Sequence, residues 1–142
     1  VSKIAIDNTS KGILIANNIF YLQGASKAVL GDQYRPDKLN NKGVENVIFK
    51  NNLFLNKQNW PKEIGITDSN PIYGNPLFVN PGGINLQDYI PKNKNLVLKK
   101  GIKITYLPKD TIGLLQGFNL DYDILGNTIK SKPSLGAVLY IE

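Results

Sequence analysis

Hydrophobic and polar residues follow one another in short runs along this chain, and two of these runs are near copies of each other. Residues 12–21 read GILIANNIFY, and residues 46–55 read NVIFKNNLFL. In each run, apolar residues lead into a pair of asparagines and then into a second apolar pair. Runs rich in β-branched and aromatic residues favour strands, and asparagine favours turns. Each run therefore predicts a strand, an amide-bearing turn and a second strand.

A four-residue motif recurs three times, as NNIF at 17–20, NNLF at 51–54 and NPLF at 75–78. Such self-similarity is typical of stacked structural repeats. Equivalent residues on stacked strands lie about 4.8 Å apart, which is close enough for an amide ladder. We expect Asn18 and Asn52 to form that ladder, and Phe20, Phe54 and Phe78 to stack inward. The repeats predict an all-β chain made of the coils of a solenoid.

Weaker patterns predict the remaining elements. Residues 75–83 indicate a short strand closed by a sharp turn, residues 95–101 a strand that ends at glycine, and residues 135–141 a closing strand. Residues 112–120 fit a short helix or a strand, and their two glycines weaken the helix interpretation. No segment has a sustained helical period.

The spacing between the first two motifs exceeds the next spacing by about one loop. Residues 24–43 are therefore predicted to leave the coil, where they form either one wall of a ligand groove or a cover over a coil edge. This segment carries a cluster of charged and aromatic residues that suit an anionic sugar chain, because arginine can grip a carboxylate in bidentate fashion. The same cluster also fits an ordinary charged loop. Its members are Lys27, Asp32, Tyr34, Arg35, Asp37 and Lys38.

The amino-acid composition limits the kinds of catalytic and metal site that are expected in this chain. The chain has 142 residues, enough for one domain, and it contains no histidine and no cysteine. Triad chemistry and zinc or thiolate sites are therefore not expected, and we assign no catalytic residue and no metal ligand. No apolar run reaches the length of a membrane span. Methionine is also absent, and we expect further coils upstream, or another chain, to cover the edge near Val1.

Positive charge is concentrated near the C-terminal third. The net charge is +6, and lysines recur between residues 92 and 109. They fit a solvated surface or attraction to an acidic polysaccharide. A nucleic-acid partner is not expected, because the chain has one arginine, Arg35, and lacks an aromatic-rich nucleic-acid motif.

Two further candidates have both a functional and a structural interpretation. Trp60 is either a platform for sugar stacking or a residue that packs over a coil edge. Asp121 and Asp123 form a D-x-D pair that is too short for a known calcium loop, and we interpret it as part of a turn. The other acids are scattered, so no pair of glycosidase carboxylates can be nominated.

The motifs together resemble the right-handed parallel β-helix proteins of the pectate-lyase-like superfamily. Such proteins commonly end with a DPLF…NP strand, a strand like DFRLKPGSPAI, and a closing D…GNPRP…PDIGAYE segment. Here residues 75–81 (NPLFVNP), residues 95–101 (NLVLKKG) and residues 123–139 (DILGN followed by PSLGAVL) are similar to these in the same order. The SPAI piece and the arginine after GNP are missing from this chain.

The resemblance implies the last coils of a β-helix at residues 1–108 and a C-terminal cap at residues 109–142. It also implies an exported bacterial protein, secreted, periplasmic or on the cell surface, that acts on polysaccharide as a lyase or glycoside hydrolase. Catalytic residues are then expected upstream of this chain. Calcium is a candidate cofactor of the parent protein, and no cofactor is expected in this chain. The alternative is a non-catalytic carbohydrate-binding or adhesive module, because the fold alone does not determine which of these functions a protein has.

Overall fold

A computed structural model describes residues 11–25, 45–59, 68–104, 120–129 and 132–137. These residues contain five short strands, one single-turn α-helix and two 3₁₀ turns, at Lys57–Asn59 and Leu86–Tyr89. The strands and the helix are β1 (Lys11–Ala16), β2 (Ile19–Phe20), β3 (Glu45–Lys50), β4 (Leu53–Phe54), β5 (Ile72–Tyr73) and α1 (Lys94–Val97).

The strands form two parallel sheets. One sheet pairs β1 with β3, and the other has the order β2-β4-β5. Neighbouring parallel strands are joined by a long crossover connection. The chain therefore returns to the same end of the sheets before it begins the next strands. Among the described residues, strands predominate over helix, which agrees with the all-β class, and the strands pair in parallel, as the family resemblance implies.

The register defines three equivalent stretches, which we call the first, middle and third rungs: residues 15–20, 49–54 and 68–73. Ile15 pairs with Phe49, and Phe49 forms a parallel bridge with Asp68. Further along, Ile19 pairs with Leu53, and Leu53 pairs with Ile72. One register therefore holds through both halves of each rung.

Aliphatic side chains from the three rungs form one side of the core. Leu53 is fully buried with Val97 and Leu135, and Ile19 and Ile72 pack against this cluster. Because successive strand residues point to opposite faces, the next residue of each rung lies on the other side. The C-terminal half of the chain thus supplies the apolar cover for the aliphatic side.

Aromatic side chains form the other column. The rings of Phe20 and Phe54 stack with centroids 5.1 Å apart and planes 10° apart, and Phe54 meets Tyr73 at 6.0 Å. Phe78 does not join this column, because Tyr73 takes the third position. Phe78 instead bridges Pro91 in antiparallel fashion, and its ring lies 5.1 Å from that of Tyr21.

The third rung is thus the NPIY sequence at residues 70–73, and not the NPLF sequence five residues later. The two sequences share an asparagine-proline pair followed by an aliphatic and an aromatic residue. They differ in what precedes them, since Asp68 lies two residues before Asn70 and Tyr73 lies two residues before Asn75. Asp68 accepts backbone amides of the middle rung, an interaction that the later copy cannot make.

Two predicted strands are wrong. The stretch after Asn93 forms helix α1, which ends at the buried Val97, and Lys99, two residues further on, has a φ of 55°. The sequence pattern of a short apolar run does not distinguish a strand from a buried helical turn. Residues 75–79 contain only the single bridge at Phe78, and Leu77 has a φ of 54°.

Two other predicted elements lie largely outside the described residues. Residues 135–137 of the closing segment form bends, and the rest of that segment lies outside the described residues. The segment 112–120 lies outside them as well, apart from Leu120.

Candidate functional site: the asparagine ladder and the Asn18 pocket

Left-handed asparagines make the turns of the first two rungs. Asn17 and Asn51 have φ values of 61° and 59°, a backbone region that asparagine tolerates better than most residues. This conformation directs the chain from β1 into β2 and from β3 into β4. It also brings the turn amides of neighbouring rungs within hydrogen-bonding distance.

The first amide column runs through Asn17, Asn51 and Asn70. Asn51 Nδ2 donates to Asn17 Oδ1 at 3.3 Å, and Asn70 Nδ2 donates to Asn51 Oδ1 at 2.7 Å. Donation in this column therefore runs from the third rung toward the first.

The second amide column runs through Asn18, Asn52 and Asp68, with the opposite polarity. Asn18 donates from its backbone N–H and from Nδ2 to Asn52 Oδ1, at 2.9 and 3.1 Å. Asn52 donates in the same way to Asp68 Oδ2, at 3.0 and 2.6 Å. Asn52 is fully buried and also donates to the Ile15 carbonyl. Its polar atoms are thus all engaged, as a buried amide requires.

Asp68 ends the second column with a carboxylate. Besides the two donors of Asn52, it accepts the backbone N–H groups of Asn51 and Asn70, both at 2.9 Å on Oδ1. Four donors converge on one carboxylate, an arrangement of charge-assisted hydrogen bonds. The next ladder position, Pro71, has no N–H to donate.

A C-terminal segment runs across the turns, and we call residues 97–104 the strap. The Lys100 carbonyl accepts from Asn51 Nδ2 at 2.7 Å. Ile102 exchanges two hydrogen bonds with the Asn17 side chain, at 2.9 and 2.8 Å. The strap thus passes from the middle rung to the first, and it advances two residues per rung.

The strap is held from outside by residues 133–136. The Gly101 N–H donates to the Pro133 carbonyl at 2.7 Å, and the Leu135 N–H donates to the Val97 carbonyl at 3.0 Å. A Cβ on Gly101 would lie 2.7 Å from the Pro133 carbonyl oxygen, so this close backbone approach needs glycine. The Gly136 N–H then donates to the Asn17 carbonyl.

The D-x-D pair lies in a short antiparallel turn. Asp123 Oδ1 accepts the N–H groups of Leu125 and Asn127, and Tyr122 bridges Thr128. The Asp123 carboxylate therefore organises its own turn, which agrees with the structural interpretation of this motif. The turn joins the closing segment through the Ile124 N–H and the Ala137 carbonyl.

A cavity of about 970 Å³ opens over the first rung, and we call it the Asn18 pocket. Its floor is Asn17, Asn18 and Ile19. Its walls come from the chain around Phe78, from the end of the strap and from the Asp123 turn. The wall residues include Leu86, Tyr89, Ile104, Leu120, Tyr122 and Ile124.

Most candidates from the charged loop and its surroundings lie outside the described residues. They are Lys27, Asp32, Tyr34, Arg35, Asp37, Lys38 and Trp60. The described lysines of the C-terminal third, Lys92, Lys94, Lys99, Lys100 and Lys103, are exposed, which fits a solvated surface. Sequence reasoning did not single out Asp68 or Asn70. The signal available for them was the second asparagine-proline pair with an acid two residues before it.

Comparison with family models, with curated proteins and with solved structures finds no match for this chain. Within the described residues, no helix is long and apolar enough to cross a membrane. In the same part of the chain, no group of three histidine, cysteine, aspartate or glutamate residues is placed to hold a metal ion.

Proposed function

We propose that this chain is the closing section of a right-handed parallel β-helix in an exported bacterial protein that acts on polysaccharide. The three rungs are its last coils, and the residues that follow them cover and seal the stack. The parent protein is a polysaccharide lyase or glycoside hydrolase whose catalytic residues lie on other coils. The contribution of this section is to complete the core and to support the groove.

The observation that carries the proposal is the common register of the three rungs through a shared turn. Ile19, Leu53 and Ile72 align across parallel strands, and the asparagine columns lie beside them. Repeated units that stack only on their neighbours are the basis of solenoid folds. A left-handed asparagine at equivalent places in two rungs is what such a repeat needs to turn in the same way each time.

The closing role is supported by contacts among the three segments that carry the family resemblance. Residues 95–101 contact the closing segment through Val97 with Leu135 and through Gly101 with Pro133, and the Asp123 turn contacts it through Ala137. The segment around Phe78 contacts the ring of Tyr21, the residue that follows the first rung. Segments far apart in sequence therefore converge on the stack.

The proposal assigns the polysaccharide groove to the loop at residues 24–43. Tyr34 and Arg35 are the residues expected to stack on a sugar ring and to bind a carboxylate. The test is calorimetry of polygalacturonate binding to the parent protein. A Tyr34→Ala and Arg35→Ala double variant should bind about tenfold more weakly, the equivalent of one charge-assisted contact. A Lys99→Ala and Lys100→Ala control should bind normally.

The purified chain itself should neither eliminate nor hydrolyse polygalacturonate, because its catalytic partners lie elsewhere in the parent. Turnover by the isolated chain, measured by the absorbance of the unsaturated product or by new reducing ends, would contradict this. If the lysine pair mattered and the loop pair did not, the groove would lie on the C-terminal face. A parent that binds glycans without turnover would be a binding module.

A further inference from the structure

The first rung presents a ladder acceptor that has no donor within the described part of the chain. Asn52 Oδ1 accepts two hydrogen bonds from Asn18, and Asp68 Oδ2 accepts two from Asn52. Asn18 donates to its neighbours through N–H and Nδ2, but its Oδ1 receives nothing from any described residue. Among the described residues, the column is therefore complete at its Asp68 end and open at its Asn18 end.

The strap continues past this open end. The Lys100 carbonyl accepts a hydrogen bond from Asn51 of the middle rung, and the Ile102 N–H donates one to Asn17 of the first rung. The same advance of two residues per rung places Ile104 at the level of a rung beyond the first. Ile104 lines the Asn18 pocket, which places it beside the position where a further turn amide would lie.

The walls of the pocket are apolar and exposed. Leu120, Tyr122 and Ile124 have 72, 60 and 56% of their surface accessible, and Leu86 and Tyr89 are also largely exposed. Exposed apolar residues collected around one cavity mark a surface that is covered in the assembled protein. Here they surround an acceptor, Asn18 Oδ1, to which no residue in the described part of the chain donates, so an occupant that fits brings both apolar side chains and an N–H donor.

A second copy of this chain, stacked end to end, does not supply that donor. Its free end would be the third rung, in which Pro71 has no N–H and the Asp68 carboxylate only accepts. A turn like that of the first two rungs does fit, because its asparagine carries both a backbone N–H and an Nδ2 group. The chemistry of the ladder thus selects an Asn-Asn turn between two strands.

We infer that the Asn18 pocket is a socket for one further Asn-Asn turn of the parent polypeptide. Its second asparagine donates to Asn18 Oδ1, its first asparagine bonds the Ile104 backbone, and its apolar pair fills the pocket. This is strand addition, in which main-chain bonds give affinity and side-chain pockets give specificity. The inference rests on the proposed solenoid, because it takes the parent to have another coil.

The test is an NMR titration of the 142-residue chain with an 11-residue peptide that copies residues 46–56, NVIFKNNLFLN. Saturable shifts are expected at the Asn18 side-chain amide and at the backbone amides of Ile104 and Tyr122. A matched peptide carrying Asn52→Asp lacks the side-chain donor and should bind about tenfold more weakly, which corresponds to one net hydrogen bond.

Three protein variants distinguish the loss of the Asn18 Oδ1 acceptor from a general loss of stability. Asn18→Ala removes Oδ1 and should weaken peptide binding about tenfold. Asn18→Asp keeps an acceptor, as Asp68 does in the third rung, and should retain binding. Asn70→Ala removes a comparable amide at the far end of the other column and should bind the peptide normally.

Several outcomes would overturn the inference. They are no shifts at millimolar peptide, shifts centred on Asn70, or equal losses in Asn18→Ala and Asn18→Asp. Shifts at Asn18 that grow with protein concentration alone would assign the pocket to a second copy, and shifts caused by oligogalacturonate alone would assign it to a glycan. The peptide titration contains no glycan, and oligogalacturonate is added only in a separate titration, so the peptide result stands apart from the activity of the parent protein.

Discussion

At the scale of single residues, the carboxylate of Asp68 holds the middle and third rungs together. It accepts four hydrogen bonds from three asparagines, one of which is Asn52. An amide in its place would turn one acceptor into a donor that faces other donors. We expect Asp68→Asn to lower the free energy of unfolding by about 2 kcal/mol, the cost of hydrogen bonds lost to a charged group. Urea denaturation measures this cost.

Asp121→Asn is the matched control for this substitution. Asp121 is exposed, and its backbone carbonyl accepts a hydrogen bond from the Ile129 N–H. Its substitution should change stability by less than about 0.5 kcal/mol. Equal effects at the two positions would mean that charge, and not the ladder, decides the result.

Asn52 and Asn18 occupy equivalent ladder positions with different burial. Asn52 is fully buried and bonded on both sides, whereas Asn18 is exposed. Asn52→Ala removes the shared acceptor of both Asn18 donors, one of the four donors to Asp68 and the donor to the Ile15 carbonyl, and should cost about 3 kcal/mol. Asn18→Ala should cost about 1 kcal/mol, because water replaces its partner. Thermal or urea unfolding of the two variants that gave the reverse order would contradict the ladder as the source of stability.

At the scale of elements, the aromatic column depends on its middle member. Phe54 is 4% exposed and contacts rings on both sides, whereas Tyr73 is 44% exposed at the end of the column. Phe54→Ala should lower the free energy of unfolding by roughly 3–5 kcal/mol, as for other buried aromatics. Tyr73→Ala should cost about 1 kcal/mol. Comparable losses in urea melts would show that Tyr73 carries as much packing as Phe54.

The first two rungs were predictable because both carry the Asn-Asn turn between apolar pairs. Their register follows from matching the motif, and Ile19 pairs with Leu53 as that match requires. The third rung was not fixed by the motif, because two asparagine-proline pairs lie five residues apart in the sequence. Only the contact of Asp68 with the middle rung distinguishes them, and that contact depends on the folded turn.

The strap was not predictable from residue types. Its bonds to the ladder use the backbone of Lys100 and Ile102, and a backbone carbonyl is the same in every residue. Within the strap, only the residue type of Gly101 relates to this role, because its lack of a side chain permits close contact with Pro133. The charged loop around Arg35 lies outside the described residues, so that part of the candidate site stays a prediction.

At the scale of the whole molecule, burial is highest in the middle of the stack of rungs. The middle rung is buried from Asn51 to Phe54, whereas the equivalent residues of the first rung are half-buried or exposed. Local opening should therefore be easier at the first rung than at the middle rung. In hydrogen exchange followed by NMR, the Asn52 amide should exchange about a hundredfold more slowly than the Asn18 amide, a difference of roughly 3 kcal/mol in opening free energy.

Both amides donate to a side-chain oxygen of the next rung, so the pair is a matched comparison. Similar exchange rates would mean that the rungs open as one cooperative unit. In that case the strap, which bonds both Asn17 and Asn51, would be the element that couples them.

The two offsets between rungs have a consequence for how such a chain can change. The middle rung pairs with the first at an offset of 34 residues and with the third at an offset of 19, yet the register is the same. The geometry of a rung is therefore independent of the length of chain that connects it to the next. Loop-closure entropy rises by only about 0.6 kcal/mol for each doubling of length. The connections can thus be lengthened, shortened or exchanged at small thermodynamic cost, which makes them natural places for insertions.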